Sequence, residues 1–186
     1  IFLNELRSKS GIMRGREFYW KALYSFSNDK AEHDVFYESM KVAYNNVFNR
    51  VGIGDKTYMT FASGGTFAKY SHEFQAVSEA GEDIIYIDEA KNIAINEEVF
   101  NDEVLADLGV NRDDLIQKKA IEVGNIFSLA YKFSEQFGLE YTNETGEKIP
   151  VFMGSYGLGI TRLMGTIVEM LSDEKGIVWP ENIAPF

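Results

Sequence analysis

Apolar positions between Asp29 and Arg50 recur at helical spacing. Phe36, Met40, Ala43, Tyr44, Val47 and Phe48, with Val51 just beyond, predict a helix with one buried face. Asn28 or Asp29 can cap its start, and Gly52 and Gly54 stop it. A second helix is predicted over Ile160–Leu171, with Ile160, Leu163, Met164, Ile167, Val168 and Leu171 on one side. Elsewhere the pattern reads as strands. Ile1–Leu6 and Arg14–Phe26, joined by the loop Arg7–Met13, predict an antiparallel hairpin. Thr57–Ala62, His72–Val77, Asp83–Ile87, Ala120–Phe127 and Pro150–Tyr156 are further strand candidates. Residues 96–117 are acidic and weakly patterned, with a short helix at Arg112–Gln117; another short helix is expected at Tyr131–Phe137. Strands from distant parts of the chain with helices at their flanks predict an α+β fold, a mainly antiparallel sheet flanked by helices.

Composition changes this picture little. The chain has 186 residues, 45% of them apolar, enough for one globular domain with a real core. No stretch approaches the ~20 apolar residues that span a bilayer, so no membrane partner is expected. With no cysteine and two histidines, thiolate chemistry and His-rich metal sites are excluded. A cytoplasmic location is the expectation. Ile1 in first place is expected of a piece of a longer chain.

Charge is more informative. The net charge is −11, which argues against a general nucleic-acid binder. Yet residues 1–21 hold five basic residues (Arg7, Lys9, Arg14, Arg16, Lys21) against Glu5 and Glu17, a local +3 that leaves −14 for the rest. A cationic patch on an acidic body suits a polyanion such as ATP or an RNA end; it also suits a solvated hairpin.

Three segments could carry chemistry. In residues 2–26, Arg14 and Arg16 lie two apart on one strand face, continued by Phe18 and Trp20, with Glu17 and Tyr19 opposite. Arginines clamp phosphates with forked hydrogen bonds and an aromatic ring can stack on a purine. An amphipathic hairpin with aromatic core residues would look the same. In residues 151–163, a strand runs through G-x-x-G-x-G into a helix that starts near Ile160 and carries Arg162 in its first turn. That fits neither the dinucleotide fingerprint nor the P-loop, and a structural glycine turn is equally open. Residues 64–75 and 122–127 set His72, Glu73, Gln75, Glu122 and Asn125 inside strand-like segments, where each needs a partner, either a ligand or another side chain.

Taken together these segments resemble the prolyl-tRNA synthetase family of class II aminoacyl-tRNA synthetases. GIMRGREFYWKALYSF (11–26) is similar to the second half of motif 2 in its prolyl form, and GSYGLGITRL to motif 3. SHEFQ followed by AGED, and AIEVGNIF followed by KFSE, resemble the strands of the family's amino-acid pocket; EKGIVWPENIAPF resembles the segment leading toward the anticodon-binding domain. The resemblance implies that residues 1–186 are part of one class II catalytic domain. Its motif 2 hairpin would span 1–26 and its motif 3 151–171. A short linker over 96–117 would replace an editing insertion, so mischarged alanine would not be cleared in cis. Motif 1 and the anticodon-binding domain would lie outside it.

The implied reaction activates proline with ATP and Mg2+ to prolyl-adenylate and passes the prolyl group to tRNA(Pro), in a homodimer when full-length. Phe18 would stack on adenine with Arg162 on its other face. Arg14 would hold the outer phosphates, with Arg14, Arg162 and Glu122 as the catalytic set. Glu5 and Glu17 would lie beside the nucleotide, and Glu122 would help bind ATP or its Mg2+. Trp20, His72, Glu73, Asn125, Ser155 and Gly157 would line the proline pocket, and Arg7 and Lys9 would face the tRNA acceptor end. Motif 2 normally opens F-R-x-E with an arginine on the α-phosphate; here it reads Phe2-Leu3-Asn4-Glu5. Leu3 therefore leaves open a module that binds ATP or the acceptor end without turnover. A class II synthetase for another small amino acid is the other alternative.

Overall fold

A computed structural model describes residues 1–185. Its centre is a seven-stranded sheet of β1 (Trp20–Ser27), β2 (Thr57–Ser63), β3 (Tyr70–Val77), β4 (Asp83–Asp88), β5 (Ile93–Asn96), β6 (Ile116–Ala130) and β9 (Phe152–Gly159), in the order β1-β9-β6-β3-β2-β5-β4. All pairings are antiparallel except β2 with β5. The early part of β6 also pairs with β4, so β6, β3, β2, β5 and β4 close into a ring. A small hairpin of β7 (Glu140–Thr142) and β8 (Lys148–Pro150) stands apart. The expected α+β architecture with a mainly antiparallel sheet is what the chain adopts.

The long helix α1 (Lys30–Arg50) covers one face of the sheet. Asp29 caps it by accepting from the Glu32 N–H, and the Glu32 carboxylate reaches back to the Asn28 N–H at 2.7 Å. Its buried face is His33, Tyr37, Tyr44 and Phe48, with Met40 and Val51 packed beside them. Phe36 and Val47, expected in that face, are more than a third exposed, and Ala43 is exposed as well. Tyr44 stacks on Phe74 of β3 at 4.7 Å, and Phe48 lies 5.3 Å from the same ring. Helix α4 (Ile160–Leu171) follows β9 as expected and joins the same core through Leu163 and Ile167.

The hairpin departs from expectation. Regular strand begins only at Trp20; residues 1–19 make the isolated bridges Phe2–Glu17 and Lys9–Arg14 and a 3-10 turn at Gly11–Met13. Ser10 and Gly11 turn left-handed inside the expected loop. Arg112–Gln117 is not a helix: a 3-10 turn covers Arg112–Asp114 and Ile116 already starts β6. Strand β5 ends at the first residue of the weakly patterned region, and helix α2 (Asp102–Leu108) lies inside it, capped by Asn101 and ended by Gly109. The short helix α3 is Lys132–Phe137. Among the described residues no helix is long and apolar enough to cross a membrane.

Phe74 is fully buried between two aromatic rings. Phe74→Ala should cost about 3–5 kcal/mol, read as a lowered urea midpoint, whereas Tyr24→Ala at a half-exposed site should stay within about 0.5 kcal/mol.

Candidate functional site

The face of the sheet opposite α1 carries the polar residues. Strand alternation decides which residues reach it. In β9, Tyr156 and Leu158 point into the α1 core, so Ser155 and Gly157 take the open side. In β3, Phe74 and Ala76 belong to the core, so Glu73 and Gln75 face outward. Strand β6 needs an irregularity to do the same. Phe74 pairs with Gly124 but Gln75 pairs with Glu122, which leaves Val123 as the extra residue of a bulge. Ile121, Val123 and Ile126 are buried in the core, and Glu122 and Asn125, three apart, emerge together. The Asn125 amide donates to Glu122 Oε1 at 2.8 Å.

His72 does not join them. It stands on the core face, with Nδ1 2.9 Å from the Tyr37 hydroxyl and its ring 4.8 Å from Phe61. Burial lowers its pKa to about 4, so the imidazole is neutral. The expectation that it lines the pocket fails because it is one residue out of phase with Glu73 on a period-two strand.

Glu73 sits at the centre of the polar face. Its Oε2 accepts from the Gln75 amide at 2.8 Å and the Asn96 amide at 2.9 Å, and Gln75 also donates to Asp83. Trp20 closes the other side of this face by lying across β9. A Cβ on Gly157 would stand 2.2 Å from Trp20 Cζ2 and 2.9 Å from Asn125 Oδ1, so only glycine fits beneath the indole. Trp20, Glu73, Asn125, Ser155 and Gly157 thus share one face.

Beside it lies an open cleft lined by Leu3, Glu5, Met13, Arg14, Phe18, Trp20, Gly159 and Arg162. Phe18 meets Trp20 edge to face at 6.3 Å. The start of α4 is stitched to the hairpin: Ile160 donates to the Tyr19 carbonyl, and Thr161 Oγ1 accepts from the Tyr19 N–H. That seats Arg162, which donates through Nε to Met13 O at 2.9 Å and through Nη1 to Glu122 O at 3.2 Å; its Nη1 is 3.7 Å from the Glu122 carboxylate. Arg14 is held between Glu5 (3.3 Å) and Glu82 (2.9 Å). Arg7 and Lys9 are exposed on the loop above a wider trough that also meets Glu73, Asp83, Glu97, Glu98 and Glu122.

Two further expectations are modified. Glu17 is exposed on the hairpin, out of phase with Phe18, and has no hydrogen-bond or ion-pair partner among the described residues. Arg16 is also exposed and is spent on the Glu5 carbonyl. Sequence reasoning missed Glu82, Asp83 and Asn96 as site residues. AGED contained the first two, but nothing in its pattern said that this turn meets the hairpin. Among the described residues no three His, Asp or Glu side chains converge as a metal cage.

A family model described as the class II tRNA synthetase core domain (G, H, P, S and T) matches residues 1–171. The proline–tRNA ligase of Rickettsia akari (strain Hartford) is 36% identical over 199 residues, covering 100% of this chain and 46% of that protein. The one from Caulobacter sp. (strain K31) is 35% identical over 209 residues, with the same coverage. The chain therefore spans less than half the length of the curated relatives it matches. Prolyl-tRNA synthetase from Cryptosporidium parvum, complexed with halofuginone and AMPPNP, superposes with a TM-score of 0.69 at 17% identity. That match covers 100% of this chain and 30% of that one, and it shows the shared fold. A second structure of the same protein, with L-proline and AMP, gives a TM-score of 0.69 at 18% identity.

Burial, with Glu122 and Asp83 nearby, raises the Glu73 carboxyl from 4.5 to about 7. The folded chain then binds more protons than the unfolded chain between these values, so this group removes stability as pH rises through them. Glu73→Gln keeps an oxygen for both amide donors. It should stabilise the fold by on the order of 1–3 kcal/mol at pH 8 and by little at pH 4. Urea unfolding at both pH values checks this; an equal effect at the two would mean that the Glu73 charge is not what costs stability.

Proposed function

The chain belongs to the class II tRNA synthetase core-domain family (G, H, P, S and T), and on that premise we propose that it is the catalytic core of a proline–tRNA ligase. The observation that carries the reading is a pair of adjoining compartments. One is a cationic, aromatic cleft with Phe18, Arg14 and Arg162; the other is a small polar face with Trp20, Glu73, Asn125 and Gly157. Full-chain similarity to proline–tRNA ligases supports proline, and the neighbours complexed with AMPPNP and with L-proline and AMP support a nucleotide beside an amino acid.

In this reading ATP occupies the cleft. Phe18 and Arg162 sandwich adenine, and Arg14 takes the outer phosphates. Proline lies on the polar face under Trp20, its ammonium toward Glu73 and its ring against the indole and Gly157. A proline carboxylate oxygen bonds to the α-phosphorus as the bond to the β-phosphate oxygen breaks, releasing pyrophosphate. The terminal ribose hydroxyl of tRNA(Pro) then attacks the prolyl carbonyl and AMP leaves. The protein's part is alignment and positive charge rather than covalent chemistry. Mg2+ fits as a phosphate-bound ion that keeps mostly water and phosphate oxygens as ligands; Glu122 would supply the protein carboxylate, and the ion would neutralise phosphate charge. Arg7 and Lys9 would meet the acceptor end.

Homodimerisation of the full-length protein and a cytoplasmic location belong to the same proposal. So does the lack of editing in cis: residues 96–117 fold as a 3-10 turn, α2 and a second turn, packed on Ile95 through Val104, Leu105 and Val110. Leu3, which lines the cleft and is half exposed, favours a second reading, a module that binds ATP or the acceptor end with little turnover.

Arg162→Ala should weaken ATP binding by roughly 1.5–3 kcal/mol, the worth of one charge-assisted contact. Equal calorimetric affinities would remove Arg162 from the site. Leu3→Arg should raise proline-dependent pyrophosphate exchange in the full-length protein by about 100-fold or more and tighten ATP less, because charge reorganises at the α-phosphate during attack. If the Leu3 protein already exchanges as fast, another group holds that phosphate. A panel of small amino acids in the same assay tests the choice of proline.

A further inference from the structure

The hairpin that carries Arg14 is the least regular part of the site, yet Arg14 must be held still to receive a phosphate. Its own ladder supplies little: the loop closes on one bridge, Lys9–Arg14. Met13 is pinned at the base by Arg162. Further along the loop the fixed partner is Glu82, which comes from the turn between β3 and β4. Arg14 Nε donates to Glu82 Oε2 at 3.0 Å, and Nη2 stands 2.9 Å from the same oxygen. Lys9 Nζ lies 3.2 Å from Oε1. One carboxylate therefore holds both cations of the loop.

Glu82 is itself rigidly placed. Gly81 donates to Ser78 O at 3.0 Å, Ala80 to Ser78 Oγ at 3.2 Å, and Ser78 to Lys119 O at 3.1 Å. A Cβ on Gly81 would stand 2.3 Å from the Ala120 carbonyl oxygen, so the turn lies flush against β6. The anchor sits in a turn bonded to the sheet, one residue before β4, and the anchored loop has no such support.

We propose that Glu82 is the positioning residue of the phosphate-binding hairpin, acting through Arg14 and Lys9; this rests on the reading that ATP binds in the cleft. Glu82 takes the side edge of the guanidinium, Nε and Nη2, and Glu5 takes one N–H of Nη1. Of the five N–H donors of an arginine, one on Nη1 and one on Nη2 are left for phosphate oxygens. Glu82 thereby fixes which edge of Arg14 faces the ligand. It also holds Lys9 beside Arg14 over the trough. Glu82 does not touch the reacting atoms.

The test uses the full-length protein with Glu82→Gln, Glu82→Asp, Arg14→Ala and the double variant Glu82→Gln/Arg14→Ala. ATP affinity is measured with Mg2+ present, and trypsin cleavage after Lys9 is timed. Glu82→Gln should weaken ATP about tenfold, a coupling expected of residues in one ion-pair network, and speed cleavage at Lys9. Glu82→Asp should recover most of the affinity, and in the Arg14→Ala background Glu82→Gln should have no further effect on ATP. A structural role alone would give additive losses and no rescue. Glu82→Gln that binds ATP as well as wild type, or better, while Arg14→Ala binds poorly overturns the proposal and leaves the ATP reading standing. A wild-type protein that binds no ATP overturns both.

Discussion

One extra residue in β6 makes the site possible. On a regular strand Glu122 and Asn125 would point to opposite faces, one into the core beneath α1. The bulge at Val123 turns both to the open side while keeping Ile121, Val123 and Ile126 in the core. The core constrains the site in return. Tyr44 donates to the Gly157 carbonyl at 2.9 Å from below, and Trp20 presses on Gly157 from above. Lys21, its pKa lowered by burial, donates to the same Tyr44 hydroxyl and to the Tyr156 carbonyl. The floor of the polar face is thus a strand gripped between helix and indole, so it can hold a small ligand without rearranging.

Electrostatics explain how an acidic chain presents a cationic cleft. Every arginine aimed at the cleft has a carboxylate beside it: Arg14 has Glu5 and Glu82, and Arg162 has Glu122. These pairs are partly exposed, so their contribution to stability is small. What they provide is orientation. A guanidinium already held along one edge loses less freedom when a phosphate takes another, which is where preorganised sites gain. The carboxylates farther in lack such partners. Glu73 has only amide donors, and burial, with the Glu122 charge nearby, raises its pKa.

The parts of the fold legible in the sequence were those with long periodic runs. Helices α1 and α4 and the strands β2, β3, β4 and β9 stand within a few residues of expectation. Strand β5, at four residues, is too short to show a period. Helix α2 had a readable signal in Asn101 before it and Gly109 after it, but its seven residues make only about two turns, too short a run to show a helical period. The first half of the hairpin misled because alternation predicts a strand wherever a ladder could form, and here only isolated bridges do. Among site residues, phase decided the outcome. Glu73 was legible and His72 was not, since sequence alone does not say which of two neighbouring polar residues faces the core.

The acidic segment 96–117 shows how pattern and placement can diverge. Read as a sequence it is a weakly structured stretch. In the structure its first residue, Asn96, donates to Glu73, and Glu98 accepts from the Ser63 N–H. Ile95 just before it and Leu105 within it share one buried cluster. Tyr86 stacks on Phe100 at 3.8 Å. The segment therefore links two strands of the ring and supplies one of the two amides that hold the Glu73 carboxylate. Its length is constrained from both ends, because β5 must pair with β4 and β2 while β6 must return beside β4. An insertion here would have to enter at an exposed turn such as Asn111–Asp113, where the chain can lengthen without moving Asn96.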